Sequence, residues 1–253
     1  KKLKSSPPSL RLQNSRRSRD HPDLASTRCD ERERRRYEVG RRPLLAFGRA
    51  RDGMARRLEG AHDILITPAA VDEETQRQAL AFLGAHEEWH PWGGSRAART
   101  TKRDLRYRWG DGGTEPIPAV LLEAGAQALH NTEAAARRRG DTAVVECVAD
   151  FQLDSLVVNR YYPGEGIGAH RDPPRQNPKV LGITLGTQQE TVRSMRFREL
   201  KNKSNKKDLV TPPRSAYFFF DRGYTAWTHE SVPSKRQVGV VYSLTFRPKR
   251  VAP

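Results

Sequence analysis

From residue 143 onward, apolar residues recur at every second position in short runs that Gly, Pro or charged residues close. Side chains of extended chain alternate between two faces, so runs of this kind read as strands with a buried side. They predict strands over 154–161, 179–186, 191–199, 215–220, 224–229 and 238–247, and their even spacing predicts a sandwich or barrel. Residues 200–211, with Lys201, Lys203, Lys206 and Lys207, interrupt this meander and read as a long basic hairpin loop. Cys147 falls in the period-two region and is expected to be a small buried hydrophobe on a strand.

The chain ahead of the meander has another texture. Asp63 to Thr67, stopped by Pro68, reads as a strand, and Val71 to His86 as a helix with acidic residues in its first turn. Residues 89–115 mix Trp, Gly and Arg in an irregular stretch before a second helix over Pro116 to Leu129. The expectation is an α+β domain over 59–253, a jelly roll with flanking N-terminal helices. Residues 1–58 hold 18 Lys/Arg against 7 Asp/Glu, a net +11 of the chain's formal +16. With few spaced apolar residues, this region is expected to be mostly disordered. Its basic excess favours polyanionic partners such as nucleic acid.

Cys29 and Cys147 are far apart and support neither a disulfide framework nor a cysteine zinc site. A reducing, intracellular location, cytoplasmic or nuclear, is the expectation.

The chemistry centres on Asn159-Arg160-Tyr161-Tyr162-Pro163-Gly164-Glu165-Gly166-Ile167-Gly168-Ala169-His170-Arg171-Asp172. In extended chain, His170 and Asp172 point to one face and can occupy adjacent corners of one ion. Taken alone, such a pair is a weak signal and is more often a surface or hydrogen-bonded pair than a metal site. His229, at the end of a later predicted strand, is the best candidate for a third ligand. Two histidines and a carboxylate make the facial triad that leaves positions open on non-haem Fe(II). His62, His86, His90 and His130 lack ligand spacing.

Asn159-x-Tyr161, the Pro163-Gly164 turn, His170-x-Asp172, His229 and Thr245-Phe246-Arg247 together resemble the AlkB family of Fe(II)/2-oxoglutarate-dependent dioxygenases. The resemblance covers about 62–250 and is closest over 155–186 and 214–247. Leu185-Gly186 and Tyr224-Thr225-Ala226-Trp227-Thr228-His229 make it most similar to the branch that modifies tRNA wobble uridines. It implies that His170, Asp172 and His229 hold iron and that Asn159 and Tyr161 bind 2-oxoglutarate. Val241, Ser243, Thr245 and Arg247 share a face expected to line the barrel, with Ser243 and Arg247 toward the cosubstrate and the Arg247 fork on one of its carboxylates. The family pattern places a second arginine where this chain has Val241. One lost charge-assisted contact is worth on the order of 1.5–3 kcal/mol. Arg236, Lys249 or Arg250 could compensate from a loop, although period two does not put Arg236 on the inner face.

The resemblance implies oxidative decarboxylation of 2-oxoglutarate coupled to demethylation or hydroxylation of a base in nucleic acid, RNA ahead of DNA. Arg96 to Trp109 interleaves Arg99, Lys102, Arg103, Arg106 and Arg108 with Tyr107 and Trp109, suiting a substrate lid that stacks a base and pairs phosphates. Tyr107 and Trp109 packed on the core is an equally good reading, and Trp227, beside the triad, is a further stacking candidate. Two alternatives remain: a protein demethylase or hydroxylase, and a catalytically silent RNA-binding jelly roll, which Val241 favours.

Overall fold

The computed structural model describes residues 56–87, 89–91, 103–107, 115–172, 178–234 and 236–249. Two antiparallel sheets face one another. The larger has the order β1 (Arg56–Leu58), β2 (Ala61–Thr67), β10 (Ala216–Phe220), β7 (Lys179–Gly186), β12 (Val241–Arg247), β5 (Ser155–Tyr161), β4 (Arg103–Tyr107), β3 (His90–Pro91). The smaller runs β6 (Ile167–His170), β11 (Trp227–Ser231), β8 (Arg193–Glu199), β9 (Lys206–Thr211). This is the expected jelly roll, and helices α1 (Glu73–Ala85), α2 (Ala119–Arg138) and α3 (Thr142–Ala149) join it as an α+β domain.

Period two divides the larger sheet chemically. Leu156, Val158, Leu181, Ile183, Phe218, Phe220, Leu244 and Phe246 point to the helices and form one core. At about 1.5–3 kcal/mol for each large apolar side chain fully buried, this face dominates the stability of the fold. Residues of the opposite parity point to the smaller sheet. There Ile64, Val180, Tyr217 and Phe219 meet Met195, Phe197 and Leu209 in a second core. Gly182 permits this packing, because a Cβ there would lie 1.9 Å from the Tyr217 ring.

The helices form where caps and apolar stripes agree. Asp72 accepts the Thr75 N–H at 2.7 Å and Glu73 and Glu74 occupy the first turn of α1, close to the expected span. Helix α2 runs nine residues beyond the predicted end at Leu129, because small buried residues (Thr132, Ala135, Ala136) continue its inner stripe until Gly140, at φ 67°.

Several expectations are corrected. Residues 142–149 are helical: Asp141 caps the first turn, and Val144 and Val148, four apart, face the core. Cys147 is therefore on a helix, half-buried, and its carbonyl accepts from Lys179, which also pairs with Asp150. The basic hairpin loop is shorter than expected, since Lys206–Thr211 form β9 against β8. Residues 221–225 form a short helix, α4, and the following strand starts at Trp227. Arg103–Tyr107, expected to be irregular, pair with β5. Arg56–Leu58, assigned to the basic N-terminal region, pair with β2, and the rest of that region lies outside the described residues.

A candidate metal centre in the jelly-roll cavity

His170 ends β6 and His229 lies directly opposite it in β11, so the two rings sit 4.3 Å apart between centroids. Asp172 follows two residues later. One ligand atom from each of the three lies within 4.8 Å of the others. His170 Nδ1 is 2.9 Å from the Gly168 carbonyl, the place of an N–H donor, which leaves Nε2 for a metal. Burial pushes the His229 imidazole down to about 3, so it is neutral. Its ring packs 5.0 Å from Phe219 and 6.1 Å from Phe197.

Asp172 is ionised for a different reason. Burial favours its neutral form, but the Arg247 charge, His229 once acid has protonated it, and the Arg247 hydrogen bonds outweigh this and hold it at about 2. Arg247 Nε and Nη2 donate to the carboxylate at 2.7–3.0 Å. The fork that sequence reading aimed at the cosubstrate thus grips a metal-ligand candidate. A neutral His229 imidazole and an Asp172 carboxylate are the protonation states a divalent ion requires of these two groups.

The triad opens on a cavity of about 300 Å³ between the sheets. Asn159, Tyr161, Ser243 and Arg247 all line it, with Asn159 across the ladder from Ser243. Tyr161 faces Val241 in the same ladder. Arg106 and Arg171 also contribute to the lining.

The stacking candidates fall elsewhere. Tyr107 is buried in the helix-side core, opposite in parity to Arg106, and Trp227 is buried in the inter-sheet core. Neither lines the cavity. Trp109, Arg99, Lys102, Arg108 and Arg250 lie outside the described residues. Arg236 and Lys249, offered as substitutes for the arginine missing at Val241, are exposed.

Sequence reading overlooked Arg193. It begins β8 with its side chain inward, 3% exposed, and its guanidinium carbon lies 3.9 Å from the centroid of the Tyr161 ring. The signal was available: Met195 and Phe197 share its parity, while the intervening residues are more exposed.

Among solved structures, the chain superposes on OsALKBH1, an AlkB homologue, with a TM-score of 0.57 at 14% identity, over 74% of this chain and 97% of that one. The fold is the AlkB-type jelly roll. A Pseudomonas putida prolyl-4-hydroxylase gives a TM-score of 0.49 at 14% identity, over 74% of this chain and 93% of that one. An uncharacterized protein of Acanthamoeba polyphaga mimivirus is 33% identical over 93 residues. That match takes in 36% of this chain, which spans 42% of the length of the mimivirus relative. No protein-family model matches the chain. Tyr161 and Ser231 line the same cavity as the triad, and Arg193 donates to Ser231.

Proposed function

We propose that this chain is an Fe(II)- and 2-oxoglutarate-dependent dioxygenase that oxidises modified bases in nucleic acid, RNA ahead of DNA, by demethylation or hydroxylation. The observation that carries this reading is the His170, Asp172 and His229 cluster, with ligand atoms within 4.8 Å, at the wall of an inter-sheet cavity. The donor set suits Fe(II). When bound there with 2-oxoglutarate and dioxygen, iron supplies an oxidant strong enough for an unactivated C–H bond.

The chain's own residues bind, orient and exclude water. Arg247 keeps the Asp172 carboxylate charged and fixes its rotation toward the two imidazoles. Asn159 and Ser243, facing each other across β5 and β12, present polar groups to an organic acid. Phe197 and Phe219 keep the His229 side of the site dry. Arg106 and Arg171 put positive charge on the cavity lining, which suits a nucleotide phosphate. The nucleic-acid and RNA preferences draw on that charge, on the basic chain as a whole and on the resemblance to the wobble-uridine branch.

The test is an anaerobic titration of the purified protein with Fe(II) and 2-oxoglutarate, reading the visible charge-transfer band of the chelate. The band should form and be absent from His170→Ala. Methylated RNA and DNA oligonucleotides, with succinate release as the readout, then decide the substrate. No band even at millimolar cosubstrate sinks the dioxygenase reading and leaves a nucleic-acid-binding jelly roll.

A further inference from the structure

Arg193 is a buried cation whose hydrogen bonds all go to neutral groups. Nε donates to Ser231 Oγ at 2.9 Å, Nη1 to Gln237 Oε1 at 2.6 Å and Nη2 to the Glu165 carbonyl at 2.9 Å. The Glu165 carboxylate is turned away, accepting the Tyr162 N–H at 2.8 Å. Gln237 is itself clamped, donating to the Tyr161 carbonyl at 3.0 Å. Burial pushes the guanidinium below its ordinary range, so an anion nearby would stabilise its charged form. A fixed positive charge in a low-dielectric wall, unmatched by a contacting carboxylate, is complementary to an anionic ligand.

Its position indicates which anion. Ser231 and Tyr161, the groups that Arg193 holds and stacks on, both line the cavity. Ser231 lies two residues from His229 along β11, a step of about 7 Å in extended chain. A short diacid bound at one end to an ion that the triad would hold is long enough to span that step. Ser231 Oγ already accepts from Arg193, so its own O–H is available to donate into the cavity. Val241, where the family pattern calls for an arginine, pairs with Tyr161 in the ladder, and Arg193 stacks on the ring of that same Tyr161.

We propose that Arg193, from the smaller sheet, replaces the arginine absent at Val241 and sets specificity for the distal carboxylate of 2-oxoglutarate, acting through the Ser231 hydroxyl and beside the Tyr161 ring. It is a positioning residue, and the inference rests on the dioxygenase reading. That reading concerns the chelating end of the acid, whereas Arg193 concerns the far end.

Two acids separate them. 2-Oxobutyrate keeps the chelating 2-oxo acid and lacks the distal carboxylate. In anaerobic Fe(II) titrations, the wild-type chain should bind 2-oxoglutarate much more tightly than 2-oxobutyrate. Arg193→Met should weaken 2-oxoglutarate roughly ten- to a hundredfold and leave 2-oxobutyrate unchanged, with Arg193→Lys falling between. Ser231→Ala, a smaller change to the fold, should shift the same preference by roughly three- to tenfold. If both acids weaken equally in Arg193→Met and in Ser231→Ala, the role is structural and the inference is overturned. It is also overturned if 2-oxoglutarate affinity is unchanged in both variants. If the wild-type chain forms a band with neither acid, the dioxygenase reading itself fails.

Discussion

Burial by itself would drive the Asp172 carboxyl toward its neutral form, and the Arg247 fork does much to keep it charged. Replacing Arg247 with Met should therefore loosen metal binding by roughly ten- to a hundredfold, the usual effect of losing a group that orients a ligand. Titration of the metal-free protein with Mn(II) or Fe(II) measures this, and unchanged affinity would show that Asp172 needs no such support. At Gly182 the constraint is purely steric. A Cβ would meet the Tyr217 ring, so Gly182→Ala should cost about 1–3 kcal/mol in denaturant unfolding. The triad was legible in the sequence because His170 and Asp172 are two apart and His229 sits among recognisable neighbours. For Arg193 only the inward aim was legible, from the parity of Met195 and Phe197, and not its partners, which lie 28, 38 and 44 residues away.

Among the elements, most strands were readable to within a few residues, because one apolar face leaves an alternating pattern. The failures each have a local cause. The Val144–Val145 and Val148 run of α3 looks like strand by residue type, but the Asp141 cap and the four-residue spacing of Val144 and Val148 decide for helix. Lys206 and Lys207 hid β9, an edge strand that carries charged residues, as edges commonly do. Asp141 serves two ends at once: it accepts the Val144 N–H and pairs with Arg57 of β1 at 2.5–2.7 Å. The Arg57 hydrogen bonds hold its carboxyl below the usual carboxylate range. A depressed value means stability that is fully present above the ordinary aspartate pKa of about 3.9 and lost as pH falls through the folded value. Asp141→Asn, which keeps an acceptor for the cap, should cost up to about 1 kcal/mol near neutral pH. The deficit should vanish in strong acid. A deficit that persists there would assign the loss to packing.

For the whole molecule, a ligand that binds only the folded state adds to its stability by mass action, about 2.7 kcal/mol at a hundredfold excess over Kd. In a domain of this size that is a rise in Tm of about 5–10 °C. Fe(II) or Mn(II) with 2-oxoglutarate, kept free of oxygen, should produce it, a chelator should reverse it, and His170→Ala should not show it. The overall architecture was legible because strand spacing and the two flanking helices survive local misreadings; the cavity was not, since it is made by two sheets meeting. In β12 the residues that face the cavity, Ser243, Thr245 and Arg247, alternate with Tyr242, Leu244 and Phe246, which hold the helices. Two scripts are thus written in alternate letters of one line. Either can be edited by substitution while the other stays fixed, and so a lost cation in β12 can be supplied from β8. Inserting or deleting a single residue exchanges the scripts, setting Phe246 at the triad and Arg247 in the oily layer under α2. Tolerance to substitution and intolerance to frame slips along the same strand are one property of the alternating chain.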